Sequence, residues 1–158
     1  MTSTDASGST SAQMPEAGTI DMKLEVVTLP VSDVDRAKSF YESIGWRFDI
    51  DLVVSDEMRT VQFTPPHSPC SIQFGKGGTA AEPGSAAGLI LVVDDIDAAR
   101  DALISRGVDV SEVQEARPPG SEDAGRSYFA RATFSDPDDN RWVLQEITTR
   151  LPGREWED

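Results

Sequence analysis

At 158 residues, with 38% hydrophobic residues and a formal net charge of −14, the chain is sized for one domain or for two small modules sharing a core. The acidity excludes a nucleic-acid or anionic-membrane surface, which needs clustered Lys and Arg. No apolar run approaches the ~20 residues that span a bilayer, residues 1–19 lack the basic and apolar regions of a signal peptide, and the single cysteine, Cys70, forms no intrachain disulfide and fits a reducing cytoplasm.

Residues 1–20 are rich in Ser, Thr, Gly and Ala without apolar periodicity. Such a segment buries too little surface to offset the entropy of ordering, so a disordered tail is expected. Lys23 to Val31 alternates as a strand, with Leu24, Val26 and Thr28 on one face and Val27, Leu29 and Val31 on the other. Ser32 or Asp33 caps a helix with the stripe Val34, Ala37, Phe40, Tyr41 and Ile44. Gly45 ends it as a left-handed C′ residue would. Strands are expected at Arg47 to Leu52, Arg59 to Thr64 and Cys70 to Gly75, with Pro65 to Pro69 as the turn between the last two.

Lys76 to Ala87, mostly small residues, reads as a linker, and then the pattern returns. Leu89 to Val93 reads as a strand and Asp94 or Asp95 as a cap. Ile96, Ala99, Leu103 and Ile104 form a helical stripe, and Gly107 the stop. Strands are expected at Asp109 to Val113, Tyr128 to Phe134 and Arg141 to Thr148, followed by a polar tail over 150–158 that Trp156 could dock. Leu29-Pro30-Val31-Ser32-Asp33 aligns with Leu91-Val92-Val93-Asp94-Asp95, and the same offset pairs Ala37 with Ala99 and Gly45 with Gly107. This internal repeat makes each half a βαβββ module, one over 22–75 and the other over 88–149, in an α+β fold.

Leu29-Pro30-Val31-Ser32-Asp33-Val34-Asp35-Arg36-Ala37, with Phe40-Tyr41-Glu42 and Ile44-Gly45-Trp46, resembles the LPVSDxxRAxxFYxxxLGW opening of the vicinal-oxygen-chelate superfamily, the group of glyoxalases, bleomycin-resistance proteins and extradiol dioxygenases. Phe134-Ser135-Asp136-Pro137-Asp138-Asp139-Asn140-Arg141 resembles its FxDPDGN turn, with Asp139 where the family usually has Gly. Together these span roughly Met22 to Thr149. The resemblance implies two modules whose curved mixed sheets form a cleft, often at a dimer interface. In the family's enzymes, four side chains from the first and last strands of both modules hold a divalent metal that acts as a Lewis acid.

Carried over position by position, the four ligand positions fall on Val26, Gln73, Gly88 and Val143. Valine and glycine side chains cannot bind a metal, and a catalytic site wants imidazole or carboxylate ligands. The expectation is therefore no metal and no cofactor. Of the remaining reactive groups, His67 sits between prolines in a turn. Cys70 has no neighbouring base to activate it. Asp136, Asp138 and Asp139 form a polar turn rather than a calcium loop, and Glu146 lies opposite Gln145, away from the cleft.

By strand alternation, Val26, Thr28, Gln73, Gly88, Ile90, Val143 and Gln145 should line one mostly apolar surface suited to a small molecule. The long loop Gln114 to Ser127 is placed to act as a lid. The leading expectation is a metal-independent binding protein that holds a small organic ligand in a sheet-lined cleft, as drug-sequestering members of the superfamily do. The acidic surface would suit a cationic ligand, and the open apolar cleft implies a homodimer. The alternative is an enzyme of the same superfamily: a lyase, isomerase, cyclase or glyoxalase-like metalloenzyme acting on a small organic substrate.

Overall fold

The computed structural model describes residues 16–154; most of the expected N-terminal tail, and the docking of Trp156, lie outside them. The first half runs β1 (Val26–Thr28), α1 (Val34–Ser43), β2 (Arg47–Ser55), β3 (Met58–Thr64) and β4 (Ser71–Lys76). The second runs β5 (Leu89–Val93), α2 (Ile96–Ser105), β6 (Gln114–Glu115), β7 (Ala130–Ser135) and β8 (Arg141–Glu146). Each half builds a four-stranded mixed sheet of the same order, β1-β4-β3-β2 and β5-β8-β7-β6, and in each the first strand pairs parallel with the last. The fold is thus the α+β duplication that the repeat implies.

The helices start and stop for the same local reasons. Asp33 and Asp95 sit extended at the N-caps and accept from the free amides of Arg36 and Ala98. Gly45 and Gly107 follow the C-caps at φ +85° and +86°, the left-handed conformation that glycine adopts without a Cβ penalty. α1 covers β3 and β4, and α2 covers β7 and β8, so each sheet has one helix-covered face and one open face. The two covered faces share one core, in which Val34, Ala37 and Tyr41 of α1 and Ile96 of α2 meet Leu29, Phe63, Phe74, Trp142 and Leu144. Phe40, Ala99, Leu103 and Val27 pack against it part-buried, whereas Ile104, expected in the stripe, is 42% exposed.

Several expected strand limits change, each through hydrogen bonds taken elsewhere. β1 is shorter than Lys23 to Val31 because β4 is its only ladder partner, and the flanking bonds stop at Ser71 N to Glu25 O and Leu29 N to Gln73 O. Beyond, Pro30 has no amide to donate, and its carbonyl accepts from Gly84 N and Asn140 Nδ2. β7 begins at Ala130 because Tyr128, at φ 68°, turns the chain. β8 ends at Glu146 because the amides of Thr148 and Thr149 go to Ser127 Oγ. The strand expected over Asp109 to Val113 does not form. Arg100 of α2 takes the carbonyls of Ser111 (2.7 Å) and Val110 (3.5 Å), and Thr133 N is met by the Ser111 hydroxyl instead of a backbone oxygen. The edge strand comes later and is two residues long.

The β7–β8 turn clasps the two halves together. Asn140 is fully buried and donates through Nδ2 to Pro30 O and Asp136 Oδ2, both at 2.9 Å, while its Oδ1 accepts from Ala86 N in the connection between the sheets. Asp136 Oδ2 also accepts from the Tyr41 hydroxyl at 2.8 Å, and Trp142 Nε1 donates to that hydroxyl at 3.0 Å. Burial, reinforced by the Asp136 carboxylate, pushes the Tyr41 phenol far above its usual range, so it stays a neutral donor. Asp138 Oδ1 accepts from Ser32 N, Ser32 Oγ and Arg36 ahead of and within α1. Asp139 takes φ 70°, the conformation for which the family's glycine is suited.

Candidate functional site

Register fixes which side chains share the open faces. On the first sheet one row runs Thr28, Gln73, Gln62, Ile50 across β1, β4, β3 and β2. The flanking row pairs Val26 with Ser71, and Thr64 with Arg47; Ser71 and Thr64 are joined by a 2.7 Å hydroxyl contact. On the second sheet one row runs Ile90, Val143, Thr133 and the next Val92, Gln145, Arg131, Gln114.

The first open face carries an internally bonded polar cluster beside the exposed Ile50 and Leu52. Gln73 Nε2 donates to Thr28 Oγ1 at 2.9 Å, and its side-chain oxygen Oε1 accepts no bond from the described residues. Asp49, set in a bulge of β2, accepts from Arg47 Nε at 2.7 Å, from Gln62 Nε2 at 3.2 Å and from the Thr64 hydroxyl. Partial burial works against the charged form, but these three bonds outweigh it and hold the Asp49 carboxyl below its usual range. The second open face carries an apolar strip: Ile90 and Val92 are 49% and 39% exposed, with Val143 beside them.

Of the residues expected to line one surface, Val26, Thr28 and Gln73 lie on the open face of the first sheet, and Ile90, Val143 and Gln145 on that of the second. Gln145 is only 5% exposed, and its amide donates to Tyr128 O at 2.8 Å. Gly88 lies just before β5 at φ +73° and lines a pocket of about 290 Å³ between the β1 and β5 sides of the two sheets, with Val27, Ile72 and Leu91. A larger groove of about 750 Å³ lies near the β7–β8 turn, lined by Phe40, Asp109, Thr133 and Arg141 among others. The reading of the sequence followed the first and last strands and so passed over the middle ones. Alternation along β3 and β7 would have added Thr60, Gln62 and Thr64, and Arg131 and Thr133.

The metal positions can be tested against this geometry. The cross-strand neighbours are Thr28 with Gln73 and Ile90 with Val143, rather than Val26 with Gln73 and Gly88 with Val143. Either set offers side chains with no imidazole or carboxylate, and among the described residues no three His, Cys, Asp or Glu gather in a metal-binding group. The donor set does not fit a catalytic divalent metal. His67 is exposed in its turn at φ 61°. Burial, and then the charge of Glu25, push the Cys70 thiol up, which leaves it a poor nucleophile. Glu146 faces the helix side and accepts from Ile96 N at 3.0 Å, closing the first turn of α2.

The glyoxalase/bleomycin resistance protein/dioxygenase superfamily model matches residues 23–144. The chain belongs to this superfamily. Among solved structures it is similar to TnmS3, an antibiotic binding protein from Streptomyces sp. CB03234, at 30% identity, covering 84% of this chain and 100% of that one with a TM-score of 0.66. It is also similar to a glyoxalase/bleomycin resistance protein from the same Streptomyces strain (31% identity, 78% and 99% covered, TM-score 0.61). A superfamily member from Sphaerobacter thermophilus DSM 20745 aligns at 27% identity over 80% of this chain and 98% of that one, with a TM-score of 0.63. A comparison with curated proteins gave no match. Within the superfamily fold, the two sequence motifs have mechanical roles: the opening motif caps and packs α1, and the FxDPDGN-like turn is the clasp. No helix among the described residues is long and apolar enough to cross a membrane.

Proposed function

We propose that this glyoxalase-type protein is a metal-independent binding protein that holds a small organic ligand on the open faces of its two sheets. The binding unit spans Met22 to Thr149 and closes its apolar cleft as a homodimer. A reducing cytoplasm suits its lone, unactivated thiol. The observation that carries the reading is the side-chain chemistry at the positions to which the resemblance assigns the metal: Val26, Gln73, Gly88 and Val143, like the register neighbours Thr28 and Ile90, offer hydrogen bonds and apolar contact, but no imidazole or carboxylate for a Lewis acid. The likeness to an antibiotic binding protein over 84% of the chain supports the same reading.

The test is a thermal-shift screen of natural-product antibiotics, since a ligand that binds only the native state raises the melting temperature. For a hit, Gln73→Ala should weaken binding by about 1 kcal/mol or more, because a Gln73 hydrogen bond is lost, and Val143→Trp should block it sterically. Hits that bind both variants like the parent would move the site elsewhere. Stoichiometric zinc, iron, nickel or manganese in protein purified without chelator, lost on changing Gln73, would overturn the reading in favour of an enzyme.

A further inference from the structure

The acidic surplus of this chain, −14 overall, does not reach the open faces. The strands carry four carboxylates, Asp49, Asp51, Glu115 and Glu146. Asp51 pairs in register with Val61, Glu115 with Ala130 and Glu146 with Val93, which places all three on the helix-covered side. Only Asp49 is on an open face, where Arg47 neutralises it. Of the five cations on the strands, Arg59 and Lys76 pair in register on the helix-covered side, and three are on the open faces. Arg47, Arg131 and Arg141 share register rows with the open-face residues Thr64, Gln145 and Ser135.

Of these, Arg47 pairs with Asp49, and Arg141 lies in the groove by the β7–β8 turn that Asp109, Asp136 and Asp139 also line, whereas Arg131 lies between the neutral Gln145 and Gln114. Arg36, Lys38, Arg47, Arg59, Arg117 and Arg126 all hold carboxylates. Arg131, exposed near the start of β7, has, like Arg141, no ion-pair or side-chain hydrogen-bond partner among the described residues. Its neighbours across the ladder are Gln145 and Gln114, and Thr133 follows on the same face. Val143 lies one strand step from Thr133, about 5 Å, and the exposed Ile90 one step further. An unpaired guanidinium beside an apolar strip matches an amphipathic ligand in which one end carries negative charge.

We infer that Arg131 selects the ligand of the proposed cleft: an organic molecule whose apolar body lies on Ile90, Val92 and Val143 and whose anionic group, a carboxylate, sulfonate or phenolate, pairs with the Arg131 guanidinium. The inference rests on the binding role proposed above. Chain-wide charge alone would favour a cationic ligand, but at contact distance the nearest fixed charge dominates, because more distant charges are screened beyond about 8–10 Å at ordinary ionic strength.

A matched pair of fluorescent probes tests it: anilinonaphthalene sulfonate and N-phenylnaphthylamine, which share the aromatic body but differ in the anionic group. Titrated into the full chain, the sulfonate should bind more tightly than the neutral probe, and its affinity should fall with salt. Arg131→Gln should weaken the sulfonate roughly fivefold or more and remove the salt dependence, leaving the neutral probe unchanged. Unchanged neutral binding also shows that the variant is folded. Val143→Trp should exclude both probes. Equal binding of the sulfonate to parent and Arg131→Gln, with both probes still excluded by Val143→Trp, overturns the role of Arg131 and leaves the cleft standing. Undiminished binding of both probes to Val143→Trp overturns the cleft itself, and this inference with it.

Discussion

Lys38 in α1 and Arg100 in α2 occupy matching positions of the repeat, three residues after the first helical residue's successor pair Asp35 and Asp97, yet they shape their halves differently. Lys38 reaches a side chain: Asp51 of β2 accepts from it at 3.0 Å. The backbone of β2 is left free, and the nine-residue strand pairs with β3 along its whole length apart from bulges at Asp49 and Val54. At the position matching Asp51 the second half has Val113. Arg100 has no carboxylate there and binds the carbonyls of Val110 and Ser111 instead. Ser111 N still donates to Thr133 O, but Thr133 N is met by the Ser111 hydroxyl while the Ser111 carbonyl turns to the guanidinium, and the edge strand of the second sheet is Gln114–Glu115. The half that keeps the carboxylate has the long edge strand, and the half that lacks it has the short one.

The joint between the halves should give the largest effect. Asn140→Ala removes both donors and the acceptor that bind Pro30, Asp136 and Ala86 in a fully buried place. It should cost about 3 kcal/mol, read as a lowered urea midpoint with unchanged slope. A loss under about 1 kcal/mol would mean that the halves are held by the core alone.

Asp51→Asn probes the first half. Hydrogen bonds from Arg59, then from Lys38, hold the Asp51 carboxyl far below its usual range. A depressed native pKa contributes stability that is present above the unfolded value, 3.8, and is lost as pH falls toward the native one. The variant should therefore lose about 1–2 kcal/mol at neutral pH, and the gap to the parent should narrow below about pH 4. Urea midpoints at neutral pH and at about pH 2.5 check the sign; a gap independent of pH would mean that shape, not charge, anchors Lys38.

Arg100→Met probes the second half and should cost least, about 1 kcal/mol. Its signature is local: amides over 109–113 should exchange faster while those of β2 keep their protection. Unchanged or slower exchange over 109–113 would mean that Arg100 does not anchor this segment.

Much of this fold is legible in local signals. Asp33 and Asp95 cap, Gly45 and Gly107 stop, and the period between them marks two helices and the duplication, because capping and left-handed glycines depend on only a few neighbouring residues. Strand limits are less legible, since a strand ends where its partners' hydrogen bonds are taken, and those partners are distant: Pro30 is stopped by Asn140, and Asp109 to Val113 by Arg100. The open faces are half legible. Alternation assigns Thr28 and Gln73 to the same side, but the burial of Gln145 under Tyr128 depends on a loop whose left-handed tyrosine has no sequence signature. The acidic composition conceals the unpaired Arg131, because a total charge carries no information about which face bears it.

The clasp also sets an order of assembly. All four strands of the first sheet are synthesised by Lys76, but the hydroxyl of Tyr41 has no partners until Asp136 and Trp142 emerge, and the wall against which Trp46 packs edge-on is that same tryptophan. During translation the first half therefore presents an unfinished interior, with a phenol and an indole on a surface that water can reach. The closing hairpin, among the last structured parts of the chain to be made, supplies the atoms that complete the interior of the first half.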